Sequence, residues 1–173
     1  MLAYVFWHRA AKGVEIAAYE DSLRRFHAAL ASASPSGFIS SATFRVGDAY
    51  SDWYLVESSA ALDVLNAAAV SGARAPAHDA AAGMAADGAG KLLSLASGRH
   101  STEQGFEVGF AKPAGMSYVE LYSRLQPWTN LPGVSLWRRM MVLGPPPEFC
   151  LIAPSEVELP PDMRPEVLRR QPI

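Results

Sequence analysis

Four histidines, His8, His27, His78 and His100, are the side chains best suited to move a proton near neutral pH. None stands at the helical or Cys/His spacing of a metal motif, and His78-Asp79 is the one close His/carboxylate pair, so a metal cluster would need ligands from distant segments. Proton transfer is the better reading, with His27 and His8 as the candidates. On a helical wheel His27 falls about 40° from Leu23, at the border of the apolar stripe Ile16, Tyr19, Leu23, Phe26 and Leu30. It faces either a cleft between helix and sheet or water. His8 alternates with Tyr4 and Phe6 on one face of a strand. Arg45 interrupts an apolar strand and needs water, a carboxylate such as Glu57, or a ligand anion. Arg138 and Arg139 pose the same question. Trp53 and Tyr54, with Trp7 and Trp137, pack a core or wall a small-molecule pocket.

Gly88-Ala89-Gly90-Lys91 fails as a nucleotide loop. A phosphate-binding loop needs glycine five residues before the Gly-Lys pair and a hydroxyl residue after it, where this chain has Ala85 and Leu92. A net charge of −2, without runs of like charge, argues against nucleic acid and anionic membrane as partners. The single cysteine, Cys150, sits in the apolar run Phe149-Cys150-Leu151-Ile152 and reads as a buried strand thiol. It permits no intrachain disulfide, and a reducing cytoplasm is the expected compartment. The apolar start of the chain lacks a preceding basic region and makes a poor signal peptide, and no stretch approaches the roughly 20 apolar residues of a membrane span.

The elements that must position these side chains follow from periodicity. Leu2 to Arg9 reads as a strand with two apolar faces, and the stripe from Ile16 to Leu30 as a helix on it. Phe38 to Val46 and Trp53 to Glu57 form a hairpin across a loop over 47–52, and Ser58 or Ser59 caps a helix over about Ala60 to Val70. The alanine-rich stretch Ala75 to Gly98 predicts helix with a break near 87–90. Phe106 to Phe110 is a strand, Ser117 to Leu125 a helix stopped by Pro127, and Val134 to Leu143 with Phe149 to Ala153 a second hairpin. The prolines from Pro154 to Pro165 leave room only for short turns.

The two hairpins echo each other. Gly37, Val46, Trp53 and Leu55 correspond to Gly133, Val142, Phe149 and Leu151 at a constant offset of 96 residues. Strand, helix, hairpin, helix is the order of a ferredoxin-like half, which predicts an α+β fold of two such units, 1–100 and a truncated 101–173, joined as an intramolecular pseudo-dimeric α/β barrel of antiparallel sheets.

His8-Arg9-Ala10-Ala11-Lys12-Gly13 and the helix ending Phe26-His27-Ala28-Ala29-Leu30 resemble the opening of dimeric α/β-barrel proteins of the EthD-like kind, and Lys112-Pro113-Ala114-Gly115-Met116-Ser117 is similar to the same turn. The second helix departs from the pattern, with Ser123 and Arg124 where the first has His27. The resemblance implies a fused pseudo-dimer, monomeric or a modest homo-oligomer. It admits a cofactor-independent oxygenase, isomerase or other proton-transfer enzyme, and haem held by one histidine, His27 or His78. The expected site lies in the first unit: His27 or His8 exchanges the proton, Arg45 orients the ligand, and Trp53, Tyr54 and His78 line the pocket. The rival reading is a non-catalytic ligand carrier or assembly module.

Overall fold

The computed structural model describes residues 1–141 and 143–173. Its strands are β1 (Leu2–Ala10), β2 (Phe38–Val46), β3 (Ala49–Val56), β4 (Ala85–Gly98), β5 (Gly105–Phe110), β6 (Ser135–Arg139), β7 (Phe149–Ala153) and β8 (Glu166–Pro172). The helices are α1 (Ile16–Ser32), α2 (Ser59–Ala69), α3 (Ala75–Ala82) and α4 (Tyr118–Thr129). The strands close into one antiparallel barrel in the order β1-β3-β2-β8-β5-β7-β6-β4. Each half therefore runs 4-1-3-2, the ferredoxin-like order, and the halves join through β2–β8 and β4–β6. The β2–β8 seam is short, running from Phe44↔Pro172 to Val46↔Arg170.

The echo in the sequence is an echo in register. Shifted by 96 residues, the pairs Ser40↔Leu55, Ser41↔Tyr54 and Ala42↔Trp53 become Leu136↔Leu151, Trp137↔Cys150 and Arg138↔Phe149, all three of them formed. Gly37 and Gly133 open the hairpins at φ 74° and 76°, a region that L side chains resist. The next N–H in each case bonds back three residues, Phe38 to Pro35 and Val134 to Leu131. The Val46/Val142 equivalence lies outside the described residues.

Several expected elements differ. The first hairpin turns on Gly47-Asp48 alone, so residues 49–52 belong to β3. Only 75–82 of the alanine-rich stretch is helix, and 85–98 is the longest strand of the barrel. Pairing with β1 on one side and β6 on the other outweighs alanine's helical preference. Its glycines have a steric reason: a Cβ on Gly90 would stand 2.3 Å from the Tyr4 hydroxyl, and one on Gly88 2.7 Å from the Phe6 ring. α4 carries Pro127 within its last turns instead of stopping before it. Beyond the prolines, β8 completes the second sheet.

Three apolar clusters hold the layers together. Val5, Phe44, Trp53, Leu93, Trp137 and Ile152 fill the barrel interior. Outside the second sheet, Leu121 and Leu125 of α4 pack with Val157, Leu159 and Met163 of an irregular strap, which closes that face. Outside the first sheet, α1, α2 and α3 cover β1 and β3 through Tyr19, Leu23, Phe26, Leu65 and Ala81. There a cavity remains.

Candidate functional site

The outward face of the first sheet presents three rows of side chains, set by the pleat and the register. Arg45, Tyr50 and His8 form one row, Thr43, Asp52 and Phe6 the next, and Ser41, Tyr54 and Tyr4 the third. α1 lays Tyr19, Leu23, Phe26 and His27 across them. Between these rows and the helices lies a cavity of about 470 Å³, walled by Phe6, Phe26, Leu62, Val70 and Ala82 among others, with Tyr19, His8 and Asp52 also on its wall. Tyr19 is the most deeply buried of them.

Asp52 organises the polar side. Its Oδ2 lies 3.2 Å from His8 Nε2 and accepts from the Tyr54 hydroxyl at 3.0 Å. Its Oδ1 accepts from the Thr43 hydroxyl at 2.6 Å and lies 3.5 Å from His27 Nε2. The geometry toward His8 is looser than a well-aligned hydrogen bond, leaving Nε2 at ion-pair distance without a formal acceptor. Burial alone would raise this carboxyl, but the imidazoles of His27 and His8 more than offset it and hold Asp52 well below the usual carboxylate range. The same anion, with burial as the larger cause, pushes the Tyr19 and Tyr54 phenols up.

Two branches leave Asp52. On one, His8 Nδ1 lies 2.5 Å from the Tyr19 hydroxyl. On the other, His27 spans Thr43 at 2.8 Å from Nε2 and Ser41 at 2.6 Å from Nδ1, with its ring stacked on Tyr54. The Thr43 proton is given to Asp52, so the Thr43 oxygen is left to accept from His27.

Among the residues singled out from sequence, His8, Tyr54 and His78 line the cavity. His27 sits behind Tyr54 and reaches the site through Thr43 and Asp52. Arg45 pairs with Glu20 of α1 and not with Glu57; Tyr50 donates to the same Glu20 oxygen at 3.0 Å. Trp53 turns to the opposite face of β3, into the barrel interior, with its indole N–H on Ser51. Sequence reasoning missed Asp52 and Tyr19. Placed on a strand instead of in a loop, Tyr50, Asp52 and Tyr54 alternate onto one face, and that alternation was the available signal.

Haem would require an imidazole nitrogen for iron and partners for two carboxylates. His8 and His27 each face protein neighbours through both ring nitrogens, which leaves His78 on the cavity wall; its Nδ1 meets Asp79 at 3.0 Å and its Nε2 stays open among the described residues, so the carboxylates decide the question. Lysine and arginine are absent from the described cavity lining, while Asp52 and Asp63 are present. A described cavity wall with two carboxylates and no lysine or arginine does not suit the two carboxylates of a haem. No group of three or more His, Cys, Asp or Glu side chains suited to a metal ion occurs among the described residues.

No family model matches the chain, and no curated protein matches it. Among solved structures it is similar to the crystal structure of a protein described as "Putative Chlorite dismutase TA0507", at 12% identity and a TM-score of 0.59, over 100% of this chain and 96% of that one. That likeness is one of fold, and it supports the dimeric α/β-barrel architecture in a single chain. No helix among the described residues is long and apolar enough to cross a membrane.

Proposed function

We propose that the protein binds a small, largely apolar molecule bearing an acidic O–H or C–H between α1–α3 and the first sheet, and moves that proton through Tyr19 to His8. The Tyr19 oxygen receives the ligand's proton while the Tyr19 proton passes to His8 Nδ1. His8 keeps its Nε2 proton toward Asp52, and the ligand is left as the anion. The resulting imidazolium lies against a buried carboxylate already held ionised, so the charge created on His8 is compensated where it forms. Once His8 is doubly protonated, the Tyr19 hydroxyl is free to donate to the ligand anion. His27 acts through Thr43, fixing the carboxylate so that Oδ2 stays on His8; it is a positioning residue. Returning the proton to a different atom gives isomerisation, and dioxygen as co-substrate would extend the chemistry to oxygenation.

The observation that carries this reading is the run Tyr19–His8–Asp52 at the base of an apolar cavity whose described lining holds no cation. The test is a titration with 1-naphthol, whose neutral and anionic forms differ in absorbance. Wild type should bind it and develop the naphtholate band, while Tyr19→Phe and His8→Gln bind it without the band. Binding with no band in wild type would make the cavity a carrier site. A band that persists in both variants would remove the relay. A Soret shift on adding haemin that disappears in His78→Ala would favour a haem protein.

The register match of the two hairpins and the paired turns, Val14 to Ala11 and Met116 to Pro113, support reading 1–100 and 101–173 as duplicated, EthD-like units. On this proposal the chain works in the cytoplasm as a monomer or small homo-oligomer, without nucleic acid or membrane.

A further inference from the structure

A second cavity, of about 280 Å³, opens at one end of the barrel interior, on the face of β1 opposite His8. Its walls include Trp7, Lys91, Glu107, Pro147, Cys150 and Glu166. Lys91 and Glu107 are each only 5% exposed, and Arg170, further along the interior, is fully buried. None of these three makes an ion pair among the described residues. The Lys91 ammonium donates to the Pro147 carbonyl at 3.0 Å and lies 5.0 Å from the Trp7 ring centre. Arg170 stacks 3.5 Å over Phe44 and donates to the Ser101 carbonyl, leaving Nε and Nη1 without partners. Glu107 Oε2 is likewise without a partner.

Unpaired buried charges are costly, and breaking a buried pair is penalised because it leaves one behind. Here two cations stand against a single buried carboxyl. Glu166 adds no buried anion, since it lies at the rim in solvent. The interior therefore carries an excess of positive charge, larger still if Glu107 is protonated, and an anion would reduce it.

We propose that this cavity is a second binding site, for a short-chain monocarboxylate whose carboxylate meets Lys91 and Glu107 and whose hydrocarbon end lies against Trp7 and Pro147. A halide would satisfy the charge and leave the apolar walls uncovered. The volume of about 280 Å³ takes a short-chain acid whole. Burial moves Glu107 toward its neutral acid, against the pull of Arg170 and Lys91, and a neutral Glu107 has an O–H to give at the oxygen now unpartnered. Ammonium and carboxylic acid are then two donors converging on one acceptor.

The experiment is calorimetric titration of the full chain with butyrate, and with butylammonium as the same hydrocarbon carrying the opposite charge. Butyrate should bind saturably and butylammonium should not. Lys91→Met should weaken butyrate about tenfold or more, the worth of a charge-assisted hydrogen bond. Ala89→Phe, at an exposed position of the cavity mouth, should also weaken it without altering any buried charge. Thermal melts establish that each variant is folded. Unchanged butyrate affinity in either folded variant, equal binding of butylammonium, displacement of butyrate by 1-naphthol, or no saturable butyrate binding to wild type overturns the proposal.

Discussion

The Tyr19 hydroxyl lies 2.5 Å from His8 Nδ1, tying the second turn of α1 to the far end of β1 under the roof of the cavity. Both groups are buried, and the His8 ring is edge-on to Tyr19 and stacked on Tyr50. A tyrosine held this way has one hydrogen-bond partner in the protein and an oxygen left to accept.

Tyr19→Phe removes the hydroxyl and strands His8 Nδ1 in an apolar setting. The expected loss is about 1 to 3 kcal/mol, the penalty for a buried polar atom left unsatisfied. Urea unfolding checks it through a lower midpoint at unchanged slope. A midpoint equal to that of wild type would mean that water replaces the hydroxyl without cost.

Asp52 gives the acid limb of stability. Its carboxyl is depressed in the folded chain below the ordinary aspartate value, so its contribution is fully present above about pH 4 and is lost as pH falls through the lower folded value. Asp52→Asn should flatten the stability profile below about pH 4, where wild type falls steeply. Asp52→Ala, which leaves two imidazoles and two hydroxyls facing a void, should cost about 3 to 5 kcal/mol at neutral pH. Melting curves across the acid range distinguish these outcomes; parallel profiles for Asp52→Asn and wild type would place the acid sensitivity elsewhere.

That Asp52 escaped a reading of the sequence has a definite cause. Gly47, Asp48, Ser51 and Asp52 are turn-forming residues, and with Ala49 and Tyr50 between them the stretch 47–52 reads as a loop. The backbone instead turns on Gly47 at φ 62° with Asp48, and the next residues enter the sheet. His8 was legible because β1 alternates cleanly, and His27 because the stripe of α1 does. Their convergence was not, since it depends on β3 lying between β1 and β2, an order that no local pattern encodes. β4 was hidden for a different reason: Gly88 and Gly90 let the Phe6 and Tyr4 rings lie close, and with so many alanines around them the stretch looks like an interrupted helix. β8 was hidden by the prolines that precede it.

Arg45 is nearly half exposed, and its partner Glu20 is buried and shared with Tyr50. The pairing draws Glu20 below its usual range, against burial, through Arg45 and Tyr50. Because the guanidinium is solvated, Arg45→Ala should cost no more than about 1 kcal/mol of stability. Glu20→Ala should cost more, since it strands the Tyr50 hydroxyl beneath α1. Neither side chain lines the cavity, so naphthol affinity should stay within about twofold of wild type for Arg45→Ala, a change below 0.5 kcal/mol. A larger drop would bring Arg45 into the ligand site.

Gly90 sets the height of the cavity floor. A methyl group there would stand 2.3 Å from the Tyr4 hydroxyl and 2.7 Å from two of its ring carbons, so the ring has to move. Tyr4 lines the cavity and stacks toward Phe6 and Tyr54, and a displaced ring intrudes on the space the ligand would use. Gly90→Ala should therefore destabilise the fold by about 1 to 3 kcal/mol, the usual cost of overpacking, and weaken naphthol binding at the same time. Tyr4→Leu in the same chain shortens the obstructing side chain and should restore part of both losses. If Gly90→Ala lowers stability but the double variant recovers neither quantity, the glycine serves the strand and not the cavity.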